Sequence, residues 1–382
     1  LRPLTVNRPK PMVPLCNRPM MEYGLELLRK HGFREVIATL HYMPHVIMEY
    51  FGDGEGFGVR ISYSIEEVPR GTAGGVKQAT GHLDEPFLVI SGDILTNTDL
   101  SRMLAFHRSR GAVLTIALTR VTDPTEYGIA LLDDENRVTR YLEKPGWGDV
   151  FSDLANMGIY ILEPEALKYV PENRPFDFSK DLFPRLLEAG EPVYGFIADS
   201  AYWSDVGTYE QYLQAHRDLL NGRIKGFTPP GIEVDRGVWA VDPGSLDGVV
   251  AEPPVALGVD AEVREGVRIG PYTVIGERTV VDRGAAVHRS VVWNDTYIGP
   301  GCILRSAIIG SSCSISAGCI LMEGAVVGDM CSLGKYAVVK PGVKIWPSKR
   351  IDAYATVAFD LKWGVRWARQ PVSYTHLTLP TN

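Results

Sequence analysis

Six short stretches of this chain carry side chains suited to phosphate and sugar chemistry. "RPKP" at 8–11 sets Lys10 in a proline-bounded loop, and "RGTAGG" at 70–75 is a glycine-rich turn leading into a helix. "VISGD" at 89–93 closes a buried apolar run with Asp93, and "WSDVGT" at 203–208 supplies a second carboxylate, Asp205. "YLEKPG" at 141–146 and "NMGIY" at 156–160 add Glu143, Lys144 and Asn156. Two aspartates beside a phosphate chain make a Mg²⁺ site, because Mg²⁺ takes one or two protein carboxylates and completes its octahedron with water and phosphate oxygens. A lysine nearby offers a point charge for developing negative charge on phosphate. Glycines let backbone N–H groups approach a nucleotide closely. A Glu and an Asn at strand ends can hydrogen-bond sugar hydroxyls, with Lys144 on a sugar phosphate. Taken singly, each has a plainer account: a solvated turn for Lys10, a turn before a helix for the glycines, a cap for Asp93, a surface ion pair for Glu143 and a turn for Asn156.

The elements that must hold these residues are legible in the apolar pattern. "EVIATL", "VRISYSI", "PFLVISGD" and "GAVLTIAL" read as strands. "RPMMEYGLELLRKHG" reads as a helix with Met21, Leu25 and Leu28 on one face and Gly32 at its end, and "LSRMLAFHRSRG" as another ending at Gly111. Strands alternating with helices over 1–222 predict an α/β layer with a largely parallel sheet, whose ligands gather at the carboxyl ends of the strands.

From about residue 255 the period changes. Aliphatics recur every six positions at Leu257, Val263, Ile269, Ile275, Val281 and Val287, slip by one to Val292, Ile298 and Leu304, and slip again to Ile309, Ile315, Leu321, Val327, Leu333, Val339 and Ile345. A six-residue period is neither helical nor that of a half-buried strand. It is the hexapeptide signature of a β-helix whose inward aliphatics stack from coil to coil. Residues 223–254 read as connector, and "VSYTHLTLPTN" at 372–382 resembles translated sequencing adapter rather than native sequence.

Composition narrows the function. Thirty-nine basic against 46 acidic residues give a formal charge of −7, a poor fit to non-specific nucleic-acid binding. The longest apolar runs are too short to span a bilayer. Cys16, Cys302, Cys313, Cys319 and Cys331 are odd in number and lack CxxC spacing. That predicts reduced thiols in a cytoplasmic protein, with the last four packed in the β-helix walls as small hydrophobes.

The order of the pieces decides between the accounts. "RPLT…RPK", "GTAG", "GD", "YG", "EKP", "NMGIY" and "WSDVGT", followed by hexads, resembles the sugar-1-phosphate nucleotidyltransferase family, and most of all its mannose-1-phosphate guanylyltransferases, from residue 1 to about residue 370. The resemblance implies a Rossmann-like nucleotidyltransferase domain over 1–222, the connector 223–254, a left-handed parallel β-helix over 255–345, and a segment 346–371 leading toward a phosphomannomutase-like domain. It implies that the family's glycine-rich loop ends directly before Leu1. The first strand, the loop glycines and the loop arginine then lie outside this chain, which as it stands is expected to be inactive. It further implies that Lys10 contacts phosphate, that Gly71, Thr72 and Gly74 line the base pocket, that Asp93 and Asp205 hold Mg²⁺, and that Gly128, Glu143, Lys144 and Asn156 contact the sugar phosphate. Arg70 stands where the family usually has leucine.

The implied reaction converts GTP and mannose 1-phosphate to GDP-mannose and pyrophosphate, mostly by positioning and charge neutralisation. A homo-oligomer is expected, with the β-helix contributing to the interface because its coil ends need covering. Three alternatives stand beside it. One is glucose 1-phosphate with UTP, dTTP or ATP. Another is a non-catalytic sugar-nucleotide-sensing subunit, against which the retained Lys10, Asp93, Lys144 and Asp205 argue. The third is acyl transfer by the β-helix, for which the hexads offer only His288.

Overall fold

The computed structural model describes residues 1–81, 83–172, 174–242, 246, 249–363 and 366–367. The stretch 372–382 read as adapter lies outside the described residues, as do 364–365 and 368–371. The chain forms two compact units, Met20–Val206 and Leu1–Pro19 with Gly207–Asn382.

In the first unit, helix α1 (Met20–Lys30) buries Met20, Tyr23 and Leu27 at i, i+3 and i+7 together with Leu25 and Leu28. Met21, expected inside, is only half-buried. Strands β1 (Glu35–Leu40) and β2 (Arg60–Ile65) pair in parallel. Helix α2 is Pro44–Phe51 and α3 is Gly71–Thr80. Next come β3 (Phe87–Ile90), the short β4 (Leu95–Thr96) and α4 (Leu100–Arg110), which ends at Gly111 in the left-handed region. Then follow β5 (Leu114–Arg120), β6 (Gly128–Leu132), β7 (Val138–Glu143), β8 (Leu154–Leu162), α5 (Phe183–Glu188), β9 (Val193–Ile197) and β10 (Trp203–Ser204).

The central sheet corrects the expectation of a largely parallel one. It runs β9-β5-β8-β6-β7 with β3 also on β8, and its only parallel pair among the described residues is β9 with β5. The β3–α4–β5 crossover does give two strands of like direction, as alternation requires. Yet β8 enters between them antiparallel to both, pairing Ile159 with Ile90 on one side and Tyr160 with Ile116 on the other. Strand–helix alternation reports direction and not adjacency, so a strand inserted from later in the chain escapes it. The core on one face gathers Leu114, Ile116, Leu118, Tyr160, Leu162 and Phe183.

In the second unit, all sixteen hexad aliphatics named above are buried and form one core. Parallel ladders along three faces stack each coil on the next, for example Ile275 on Val292, Val292 on Ile309 and Ile309 on Val327. The result is a parallel β-solenoid of about six turns in the 17- to 18-residue rhythm of those pairs. It runs beyond residue 345, because Ile351 and Val357 keep the inward position and pair with the coil before; charged neighbours such as Lys349, Arg350 and Asp352 mask the period there. The connector is also partly sheet. Ile232–Asp235 folds back antiparallel on Val238–Ala240, which pairs in parallel with Val255–Leu257 and covers the first coil edge.

The four solenoid cysteines are free and buried. Their thiols donate to turn carbonyls of Ser316, Gly328, Gly334 and Trp346 at 3.0–3.2 Å. Among the described residues no helix is long and apolar enough to cross a membrane.

Candidate active site

Asp93 and Asp205 stand toward the same end of a short antiparallel ribbon. β4 pairs with β10, Ser204 opposite Leu95 and Trp203 opposite Thr96. Asp205 follows Ser204 directly, and Asp93 stands two residues before Leu95. The Ser91 hydroxyl donates to Asp93 Oδ1 at 2.6 Å and orients that carboxylate.

A bulge in β8 ties this ribbon to the sheet. Asn156 lies opposite Leu118 and Tyr160 opposite Ile116, so four steps of β8 face two of β5. Gly158 supplies the backbone that this needs, with φ +75°. The irregular segment turns its carbonyls away from β5. Met157 O accepts from Trp203 Nε1 at 2.9 Å, and Gly158 O accepts from the Ser91 N–H at 3.0 Å. The bulge of β8 therefore meets the end of β3 and the start of β10.

The β6–β7 hairpin opens at the same place. Its register ends with Gly128 opposite Glu143. Lys144, at φ +46°, leaves the strand and donates its N–H to Tyr127 O at 3.0 Å. The Tyr127 ring stands edge-on to Trp203 with centroids 5.2 Å apart. The mouth of the β6–β7 hairpin is thereby linked through Tyr127 to Trp203 of the ribbon. Asn156 is half-buried, and its side chain is engaged internally: Oδ1 accepts from the Gly158 N–H at 2.9 Å, while Nδ2 donates to the Tyr141 and Tyr160 hydroxyls at 3.1 and 3.0 Å and to Ser179 Oγ at 3.3 Å. Burial raises both phenol pKa values, that of Tyr160 to about 12, so both hydroxyls keep their protons.

The glycine-rich stretch begins α3. A Cβ on Gly71, whose φ is +73°, would lie 2.7 Å from the Phe176 backbone. The N–H groups of Ala73 and Gly74 donate to Phe176 O at 2.9 and 3.0 Å. Thr72 donates both its N–H and its hydroxyl to Asp177 Oδ1 at 3.1 Å. These glycines let the chain at 176–177 pack against the helix start, and Ser179, two residues on, reaches Asn156. Lys10 belongs to the other unit, half-buried at the start of the short 3₁₀ turn Lys10–Met12.

Tyr141, Asp177, Ser179 and Trp203 were absent from the expected set. Tyr141 had a signal: it stands two residues before Glu143 on one strand, hence on the same face. Asp177 and Ser179 had none, since their partners are more than twenty residues away in sequence.

Comparison with known proteins identifies the family. Residues 1–222 match the family model described as nucleotidyl transferase, and residues 251–358 match the GMPPB C-terminal domain. The chain belongs to the nucleotidyl transferase family. Within it, the chain is 36% identical over 324 residues to a mannose-1-phosphate guanylyltransferase of Mycobacterium tuberculosis, covering 84% of this chain and 79% of that one. It is 33% identical over 368 residues to a UTP–glucose-1-phosphate uridylyltransferase of Synechocystis, covering 92% and 94%. It is 29% identical to mannose-1-phosphate guanylyltransferase 1 of Arabidopsis thaliana, with the same two coverages of 92% and 94%. This nucleotidyl transferase therefore joins its catalytic-type domain to a solenoid, as the two family models do in the same order.

Proposed function

We propose that this nucleotidyl transferase moves the guanylyl group of GTP onto mannose 1-phosphate, giving GDP-mannose and pyrophosphate. The meeting of the Asp93–Asp205 ribbon with the hairpin mouth of Gly128, Glu143 and Lys144 carries the reading. The names of the Mycobacterium and Arabidopsis relatives support the choice of base and sugar.

A phosphate monoester is already anionic at neutral pH, so its oxygen attacks the α-phosphorus with no general base. A new P–O bond forms as the bond to the bridging oxygen breaks, and its electron pair leaves on pyrophosphate. The protein then supplies alignment and charge. Glu143 accepts sugar hydroxyls, Lys144 holds the sugar phosphate, and Asn156 offers the second lone pair of Oδ1. Gly128 contacts the sugar phosphate beside Glu143. Lys10 offers its charge to the nucleotide phosphates, and Gly71, Thr72 and Gly74 border the base.

Two carboxylates at the end of one ribbon fit a divalent cation, Mg²⁺ by its preference for few protein carboxylates and phosphate oxygens. When bound it supplies positive charge to the phosphate chain.

The Synechocystis relative favours a second reading, uridylyl transfer to glucose 1-phosphate. A panel of GTP, UTP, dTTP and ATP against mannose, glucose and N-acetylglucosamine 1-phosphates separates the two. Highest kcat/KM for GTP with mannose 1-phosphate upholds the proposal; highest kcat/KM for UTP with glucose 1-phosphate replaces it. The protein acts in the cytoplasm as a homo-oligomer in which the solenoid contributes to the interface, and light scattering showing a micromolar monomer would contradict that assembly.

A further inference from the structure

We infer that Tyr141 is a positioning residue for sugar-phosphate recognition, aiming the Glu143 carboxylate through its hydroxyl. This rests on the proposed role of Glu143 in binding the sugar phosphate.

Three observations carry it. First, the hydrogen-bond directions are fixed. Asn156 Oδ1 takes the Gly158 N–H at 2.9 Å, which leaves Nδ2 facing the phenols. Nδ2 only donates, so the Tyr141 oxygen accepts there, at 3.1 Å. The Tyr141 hydroxyl donates to Glu143 Oε2 at 3.2 Å, since a carboxylate oxygen only accepts. Second, the phenol cannot wander. Tyr141 is buried, and its ring meets Phe183 edge-on at 5.1 Å between centroids. Burial raises its pKa, so the donor persists wherever the enzyme would work. Third, the space is reserved. A Cβ at Gly128 would fall on the Tyr141 hydroxyl and lie 2.6 Å from Glu143 Oε2. The absence of a side chain at Gly128 is what admits this pair.

Tyr160 gives an internal control, because it touches the same Asn156 nitrogen at 3.0 Å while its hydroxyl has no bond to Glu143 in the described structure. A mere packing role would make the two tyrosines equivalent. A positioning role makes Tyr141 matter to sugar-phosphate affinity.

The test is steady-state kinetics of the full-length protein with Y141F, Y160F, E143Q and the double variant Y141F/E143Q. Y141F should raise KM for mannose 1-phosphate about tenfold, the scale of one hydrogen bond to a charged group. It should leave KM for GTP unchanged. Y160F should have a smaller effect, and the double variant should match E143Q alone, since Tyr141 acts through Glu143. If E143Q raises the sugar-phosphate KM and Y141F does not, the inference fails and the sugar site stands. It also fails if the Y141F effect multiplies fully onto that of E143Q. If E143Q itself leaves this KM unchanged, the site reading falls and takes the inference with it.

Discussion

The Asp329 carboxylate receives the Arg8 guanidinium at 3.1 Å through Oδ2 and the Ser311 N–H at 2.8 Å through Oδ1. Arg8 also bonds Ser311 Oγ at 3.2 Å and lies over the Trp293 ring at 4.5 Å. Asn17 Nδ2 adds a bond to Ile275 O at 2.9 Å. The segment that bears Lys10 is thereby pinned to the solenoid on both sides of the lysine. Arg8 Nε is buried without a hydrogen-bond partner in the described structure, so the guanidinium depends on the contacts it has. Asp329→Asn leaves that cation with weaker compensation and should cost about 2 kcal/mol, below the cost of stripping a fully buried pair because Arg8 keeps some solvent contact. Urea melts of wild type and variant measure it. A difference under about 0.5 kcal/mol, the scale of an exposed pair, would mean the contact is a surface one in solution.

The two-aspartate ribbon makes a kinetic prediction. Asp93→Asn and Asp205→Asn in the full-length protein should each lower kcat by at least about a hundredfold, the scale of removing a principal electrostatic group. KM for mannose 1-phosphate should move less. Each variant should also need more Mg²⁺ for half-maximal rate. Near-normal turnover in both would remove these carboxylates from the reaction.

His216 predicts a pH dependence. Its Nδ1 accepts the Cys16 N–H at 3.2 Å, and its Nε2 is buried without a partner in the described structure. Burial lowers its pKa from 6.5 to about 3. The unfolded chain therefore binds the proton first, and stability falls as pH drops below 6.5, down to about 3. The expected slope is about 1.4 kcal/mol per pH unit from this one group. His216→Asn, which keeps an acceptor near Nδ1, should flatten the slope between pH 6 and pH 4 in denaturant melts at each pH. An unchanged slope would show that other groups dominate the acid loss.

Sequence periodicity reached the solenoid almost completely, because each hexad repeats one physical demand: an aliphatic inward and a tight corner. It missed the last coils, where Ile351 is flanked by Arg350 and Asp352, and the hairpin 232–240, whose first strand pairs antiparallel outside the six-residue repeat. In the catalytic-type unit, apolar runs located β1 and β3 but could not say that β8 would lie between β3 and β5. The positions of Asp93 and Asp205 just beyond strands β3 and β10 were legible because each follows a short apolar or aromatic run. Asn156 shows the limit. Its residue type suggested sugar contact, yet three of its partners are phenol and serine hydroxyls, and only the bulge at Gly158 explains why.

Solenoid corners make the last prediction. Gly276 donates its N–H to Val292 O at 2.7 Å, and a Cβ there would lie 2.5 Å from the Trp293 carbonyl carbon and 2.6 Å from Asn294 N. Those atoms are corner backbone and have no rotamer to change. The Trp293 side chain is also fixed, donating from Nε1 to the Tyr212 hydroxyl at 2.9 Å and carrying Arg8 on its face. Gly276→Ala must then separate two coils locally, at about 1–3 kcal/mol for the overpacking. Gly284 is the comparison. It has open space around its Cβ position and a φ of +68°, so Gly284→Ala meets only the left-handed backbone penalty of about 1 kcal/mol. Asp260, Arg278, Asp295 and Ser312 already tolerate that conformation at solenoid corners. Thermal and urea melts should rank Gly276→Ala as the more damaging change, with a matching loss of the Arg8–Trp293 contact visible as altered tryptophan fluorescence. Equal losses would mean that the coils separate freely at this corner and that φ, not packing, selects glycine along the solenoid.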